Sequence, residues 1–229
     1  MSRQNHKQAR REAVEREVRK REDVLAVPID KQVYVFKKHF TDEGGPRGFW
    51  PKEYRDHQEE FKFDEWQTRL QRAPAQWEPV ELVPEEDPDF PTDQPVGDYD
   101  EFAGMMIFSE RAAIALKHLL QPSGLLLALT CATGDYAGFR LDTAIDALDV
   151  MKTKASWWPK KDGASSIYTY AFHTERLGSA GIFRVPEHFE VLVSHEFVNI
   201  ARASGFTGFR FCRVWPTAMA SLWWYHNWC

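Results

Sequence analysis

The first forty residues already show two contrasting patterns of polar and apolar positions. Residues 2–23 carry charges at helical spacing and almost no apolar stripe. Arg11–Glu15, Glu12–Arg16, Glu15–Arg19 and Glu17–Arg21 place opposite charges four apart, which supports a helix by a few tenths of a kcal/mol per pair. A helix without an apolar face is solvated or docks on a partner. KQVYVFKKHF (31–40) then alternates as an edge strand would. DEGGPRGFWP (42–51) is punctuated by three glycines and reads as a loop. FKFDEWQTRLQRA (61–73) fits a short helix with Asp64 as its N-cap. Residues 74–100 hold Pro74, Pro79, Pro84, Pro88, Pro91 and Pro95, which predicts a linker rather than a regular element.

From residue 102 the pattern becomes compact. MMIFSERAAIALKHLL (105–120) predicts a strand, a capping serine at Ser109 and a helix; QPSG ends it, and LLLALT (125–130) is the next strand. The order returns further on. FEVLV is a strand, Ser194 the cap, HEFVNIARAS the helix, GFTG the turn and FRFCRV (209–214) the return strand. Ser109 to Leu125 is 16 positions and Ser194 to Phe209 is 15, so a strand–Ser–helix–Gly–strand unit occurs twice. Glu110 and Glu196 fall in the first turns, where an acid complements the helix dipole. The predicted fold is α+β: a mixed β-sheet built on these two units, with the charged N-terminal helix attached. Three segments are expected: 1–40, the charged helix and edge strand; 41–101, an acidic Pro-rich extension; and 102–229, the α+β domain with a Trp-rich tail.

Charge sharpens this division. The 229 residues carry a formal net charge of −5, divided as +5 over 1–40, −12 over 41–101 and +2 over 102–229. The middle block repels nucleic acid and attracts a basic partner. Glu85, Glu86, Asp87, Asp89, Asp98 and Asp100 are therefore candidate partner-binding residues. The tail WPTAMASLWWYHNWC has no Lys or Arg after Arg213, which disfavours single-stranded nucleic acid. Tryptophan is enriched among binding hot spots, and Trp223, Trp224 and Trp228 join the candidates. No apolar run reaches the roughly 20 residues that span a bilayer, and the N-terminus has no signal-peptide core. A cytoplasmic protein with no membrane partner is expected. Cys131, Cys212 and Cys229 form no CxxC pair and are expected as free thiols.

Catalytic patterns are weak. No G-x-S-x-G elbow surrounds Ser194, and Ser194 and His195, one apart, diverge on a helix. No phosphate loop is present. His173-Thr-Glu175 gives two side chains on one face of a strand, and with His188 they would make a metal-dependent hydrolase site. The exposed face of an edge strand is the simpler reading of that pair. No cofactor is expected.

The segments DALDVMKTKASWWP (146–159), GIFRVPEHFEVLVSHEFVNIARASG (181–205) and GFTGFRF (205–211) carry a resemblance. Ile182, Phe183, Arg184, Ser194, Phe197, Gly205, Thr207, Gly208 and Phe211 follow the pattern of a family of bacterial immunity proteins from polymorphic toxin systems, typified by a myxobacterial immunity domain. Asp149 and Ser156 are more widely spaced than that family's D-x-x-x-S stretch. The resemblance spans roughly 102–214. It implies a non-enzymatic protein that binds a cognate toxin and neutralises it, and the acidic middle block points to a basic one. The alternatives are the hydrolase on His173, Glu175 and His188, or an adaptor or chaperone for a secreted effector.

Overall fold

The computed structural model describes residues 27–38, 48–85, 95–159 and 163–216. The predicted N-terminal helix and the tryptophan tail lie outside these residues. A four-stranded sheet is ordered β10 (Ile182–Val185), β11 (His188–Ser194), β1 (Val33–Lys38), β12 (Phe209–Trp215). A six-stranded sheet is ordered β2 (Phe49–Pro51), β3 (Val80–Pro84), β6 (Gly124–Cys131), β7 (Tyr136–Leu141), β5 (Met105–Ser109), β4 (Tyr99–Phe102). β8 (Lys154–Trp157) and β9 (Ala164–Thr169) form a separate hairpin. The helices are α1 (Lys52–Asp56), α2 (Phe63–Leu70), α3 (Glu110–Ala115), α4 (Lys117–Leu120) and α5 (His195–Ala203). The α+β class is as expected.

Both serine-capped segments form. Ser109 Oγ accepts the Ala112 N–H and Ser194 Oγ accepts the Phe197 N–H, each at 3.3 Å. In each unit the two strands flanking the helix run parallel, because both pair antiparallel with a third strand lying between them. For β5 and β6 that strand is β7, which follows at once in sequence. For β11 and β12 it is β1, from the far end of the chain. α5 ends in a Schellman turn: Gly205 N–H reaches Arg202 O, Phe206 N–H reaches Ala201 O, and Gly205 takes φ +62°.

β1 is central, not an edge. Val33, Tyr34, Val35 and Phe36 are all buried, as in a strand covered on both faces. Tyr34 and Phe36 join a core made with α3, α4 and α5 and with Met106, Phe108 and Phe139 of the six-stranded sheet. Val33 and Val35 face a second core built on residues 147–185. A third core lies on the far face of the six-stranded sheet, under Trp66 and Leu70 of α2.

The acidic, proline-rich region is also more ordered than expected. β3 pairs parallel with β6, Val80 opposite Leu129, and β4 pairs with β5. Pro79 and Pro95 stand outside these strands and Pro84 ends β3, where no ladder hydrogen bond is lost. α2 begins at Phe63 with Lys62 as N-cap and no side-chain cap, so Asp64 sits inside the first turn. Packing of Phe63 against Phe61 and Tyr54 sets that earlier start.

Asp98 and Asp100, expected on a partner-facing surface, are 5% and 1% exposed. Asp98 accepts hydrogen bonds from Ser109 Oγ (2.7 Å), Arg111 Nε (2.6 Å) and Thr207 N–H (2.8 Å). Its own N–H donates to Thr207 O, and its carbonyl accepts from Ser109 N–H, both at 2.9 Å. One residue thus joins the first helix cap to the turn after α5. Asp100 Oδ1 lies 2.7 Å from Lys38 Nζ of β1, and its carboxylate also accepts the Phe49 N–H. Burial takes both carboxylates out of reach of a partner, and internal donors replace water.

Gly208 has φ +85°, and a Cβ there would collide with the backbone of Tyr99. Gly205 has φ +62° with open space around it. Gly208→Ala should therefore cost about 2 kcal/mol or more and Gly205→Ala about 1 kcal/mol in urea unfolding. Equal losses would contradict the close approach of 98–99 to 207–208.

Burial pushes the Asp98 carboxyl up, but the bonds from Arg111, Thr207 and Ser109 outweigh it and hold it below the ordinary value. A depressed carboxylate stabilises the fold above the unfolded value, near pH 3.9, and that stabilisation is lost as pH falls through the folded value. Asp98→Asn should cost about 2 kcal/mol at neutral pH and shrink the acid-dependent loss. An unchanged acid limb would contradict this role.

Candidate partner-binding cleft

A cleft of about 460 Å³ opens where β11 passes into α5. Three segments wall it: residues 29–33, residues 177–183, and the start of α5 from Ser194 to Ile200. Residues 29–31 form a 3-10 turn that leads into β1. Lys31 Nζ reaches across to Gly178 O at 3.1 Å, linking the first two walls. Ser194 N–H donates to Gly181 O at 3.0 Å, linking the second and third. Val33, Leu177 and Phe183 provide a buried apolar floor. Ile29 stands at the mouth, 62% exposed.

His195 lines this cleft, and its orientation is set from β1. The buried Tyr34 hydroxyl donates to Gln32 Oε1 at 2.8 Å and lies 3.0 Å from His195 Nδ1. With its proton given to Gln32, the phenol oxygen accepts from His195 Nδ1–H. That leaves Nε2 as the imidazole's other nitrogen, an acceptor in the neutral ring. Burial holds the Tyr34 phenol above its ordinary value, against the opposing charges of Arg213 and Arg202. Glu196 occupies the first turn of α5 and pairs with His118 Nε2 at 3.1 Å. Ser194 Oγ caps the helix and His195 Nδ1 faces Tyr34, so these neighbours do not form a nucleophile and its base.

The alternative metal site does not assemble. His173 precedes a 3-10 turn, Thr174–Arg176, and lies 3.7 Å from Glu175. His188 is buried, with Nδ1 3.1 Å from Ala164 O and Nε2 3.7 Å from Glu190. Its partners are β9 and its own strand. Among the described residues no group of three His, Cys, Asp or Glu side chains could hold a metal ion. Cys131 is a free thiol, whereas Cys212 is disulfide-bonded, a correction to the expected free thiols. No helix among the described residues is long and apolar enough to cross a membrane. Glu85 is partly exposed, 3.6 Å from Lys38 Nζ. Glu86, Asp87, Asp89, Trp223, Trp224 and Trp228 lie outside the described residues.

Two walls of the cleft and all of the β11–α5–β12 unit fall in one stretch that also matches a known family. Residues 140–215 match the model of the Imm11 immunity protein family. The match begins at the end of β7 and stops at the end of β12, about a third of the chain and narrower than the expected 102–214. No curated protein matches the chain. Within the Imm11 span the motif residues have definite structural jobs. Ile182, Phe183 and Phe197 are core. Arg184 donates to Leu141 O at 3.1 Å. Ser194 caps α5, Gly205 ends it, and Thr207 and Gly208 meet Asp98 and Tyr99. Asp149 is buried and accepts the Lys152 N–H at 3.2 Å in a turn before β8. The Imm11 match supports an immunity role.

From the sequence, residues 194–196 read as mainly architectural. That holds for Ser194, but His195 needed Tyr34, which stands 161 positions away. Its one local clue was that the first unit has Glu110 in the equivalent place.

Tyr34→Phe should cost about 1 kcal/mol of stability and release the His195 tautomer. Long-range 15N–1H correlation should show a proton on His195 Nδ1 in the parent and a shift toward Nε2–H in the variant. An unchanged imidazole pattern would contradict the Tyr34–His195 link.

Proposed function

We propose that this chain is an immunity protein that binds a cognate bacterial toxin in a stoichiometric complex and blocks it without catalysis. The Imm11 match over 140–215 carries this reading, because that span includes two of the three walls of the cleft. A binding function needs a pre-formed surface rather than a reacting group, and the cleft is held by contacts between segments remote in sequence. Apolar contact in its floor and a polar rim are the usual anatomy of such an anchor site.

The toxin in this reading is a basic protein, met in the cytoplasm of the producing cell. The acidic run at 85–89, with Glu85, Glu86, Asp87 and Asp89, acts in steering the encounter rather than in the final contact. Trp223, Trp224 and Trp228 are proposed as additional contacts. Asp98 and Asp100 have no part in it, since both are buried in internal bonds.

Expressing the neighbouring toxic open reading frame with and without this chain tests the reading. Survival restored by the chain, with an equimolar complex on purification, is the expected result. The association rate should fall roughly tenfold between about 0.05 and 0.5 M salt, as for steered encounters. Killing unaffected by the chain would reject the immunity reading for that pair, and an association rate indifferent to salt would reject the steering.

A further inference from the structure

The cleft has a definite chemical preference. Its floor of Val33, Leu177 and Phe183 is apolar and buried, while its rim supplies acceptors. Asp30 is exposed and has no hydrogen bond or ion pair among the described residues. His195, tied at Nδ1 to Tyr34, has Nε2 as its other ring nitrogen. Glu196 adds a second carboxylate in the first turn of α5, where it offsets the positive helix end.

Two cationic groups near the rim have partners among the described residues. Lys31 Nζ donates to Gly178 O. His118 pairs with Glu196 on the α4 side. A cleft with an apolar floor and the exposed Asp30 carboxylate on its rim suits a side chain with a methylene stem and a cationic head. Guanidinium matches it best, because its five donors can meet a carboxylate and an imidazole nitrogen together.

We propose that the cleft captures a long basic side chain, arginine in particular, presented by the toxin. This rests on the immunity reading for the identity of the partner, while the chemistry of the cleft is testable without any toxin. Asp30 receives the guanidinium, His195 Nε2 accepts a further N–H, and Ile29 covers the stem.

The probe is Nα-acetyl-arginine N-methylamide, titrated into the isotopically labelled full chain and followed by NMR. Its citrulline counterpart has the same shape without the charge. Saturable shifts confined to residues 29–34, 177–183 and 194–200 are expected with the arginine compound. Citrulline should bind at least about fivefold more weakly, and Asp30→Asn should weaken arginine binding by about tenfold, the range of a lost charge-assisted hydrogen bond. Asp30 is exposed and has no partner among the described residues, so this variant keeps its fold, which the remaining spectrum verifies. No saturable shift, equal response to citrulline, or full binding by Asp30→Asn would each overturn the proposal. Such a failure leaves rescue by the parent chain intact, whereas failed rescue with normal arginine binding would strike only the toxin reading.

Discussion

The Asp98 carboxylate is the constraint on which the two halves of the molecule depend. It is nearly inaccessible to water, so its charge must be met by protein donors. Ser109, Arg111 and Thr207 supply them. Ser109 is the cap of α3, and Thr207 belongs to the turn between α5 and β12. The two serine-capped units are therefore joined at one anion rather than only by apolar contact. Gly208 allows that joint to close, since no side chain fits between it and Tyr99. Tyr99 itself enters the shared core against Phe36, with ring centroids 4.2 Å apart.

Around this joint the sheets are buried on both faces, which explains the apolar runs. Met105, Met106, Ile107 and Phe108 are all buried, as are Val33 to Phe36. In each run alternate residues face the helices and the intervening ones face another layer. β1 has a further role. It completes the β11–β12 pair, and it carries Tyr34 to His195. Fixing β1 in the middle of its sheet therefore also fixes one wall of the cleft.

What could be read from the sequence was what is local. Ser109 and Ser194 announce helix starts because a cap and its N–H partner lie three residues apart. Gly205 announces a helix end for the same reason. Asp98 and Asp100 could not be read correctly, because a carboxylate in an acidic run looks exposed until its donors are known. Thr207 is 109 positions from Asp98. β1 reads as an edge from the alternation of polar and apolar positions in residues 31–40, with Lys37 and Lys38 facing solvent. Lys38 instead turns to the buried Asp100. The cleft escaped notice because its three walls come from three distant segments, and proximity of Lys31 to Gly178 leaves no periodic signal.

The same physical logic joins fold to function. A cleft whose walls are tied together by the Lys31–Gly178 and Tyr34–His195 contacts would offer a partner an apolar floor and a charged rim at a reduced ordering cost. The stretch that matches the Imm11 family builds two of its walls, and the N-terminal turn adds the third. The most direct test of this account is hydrogen–deuterium exchange of the full chain with and without the toxin proposed as its partner. Protection gained at residues 29–34, 177–183 and 194–200 is the predicted result. Protection elsewhere, with those three segments unchanged, would contradict it.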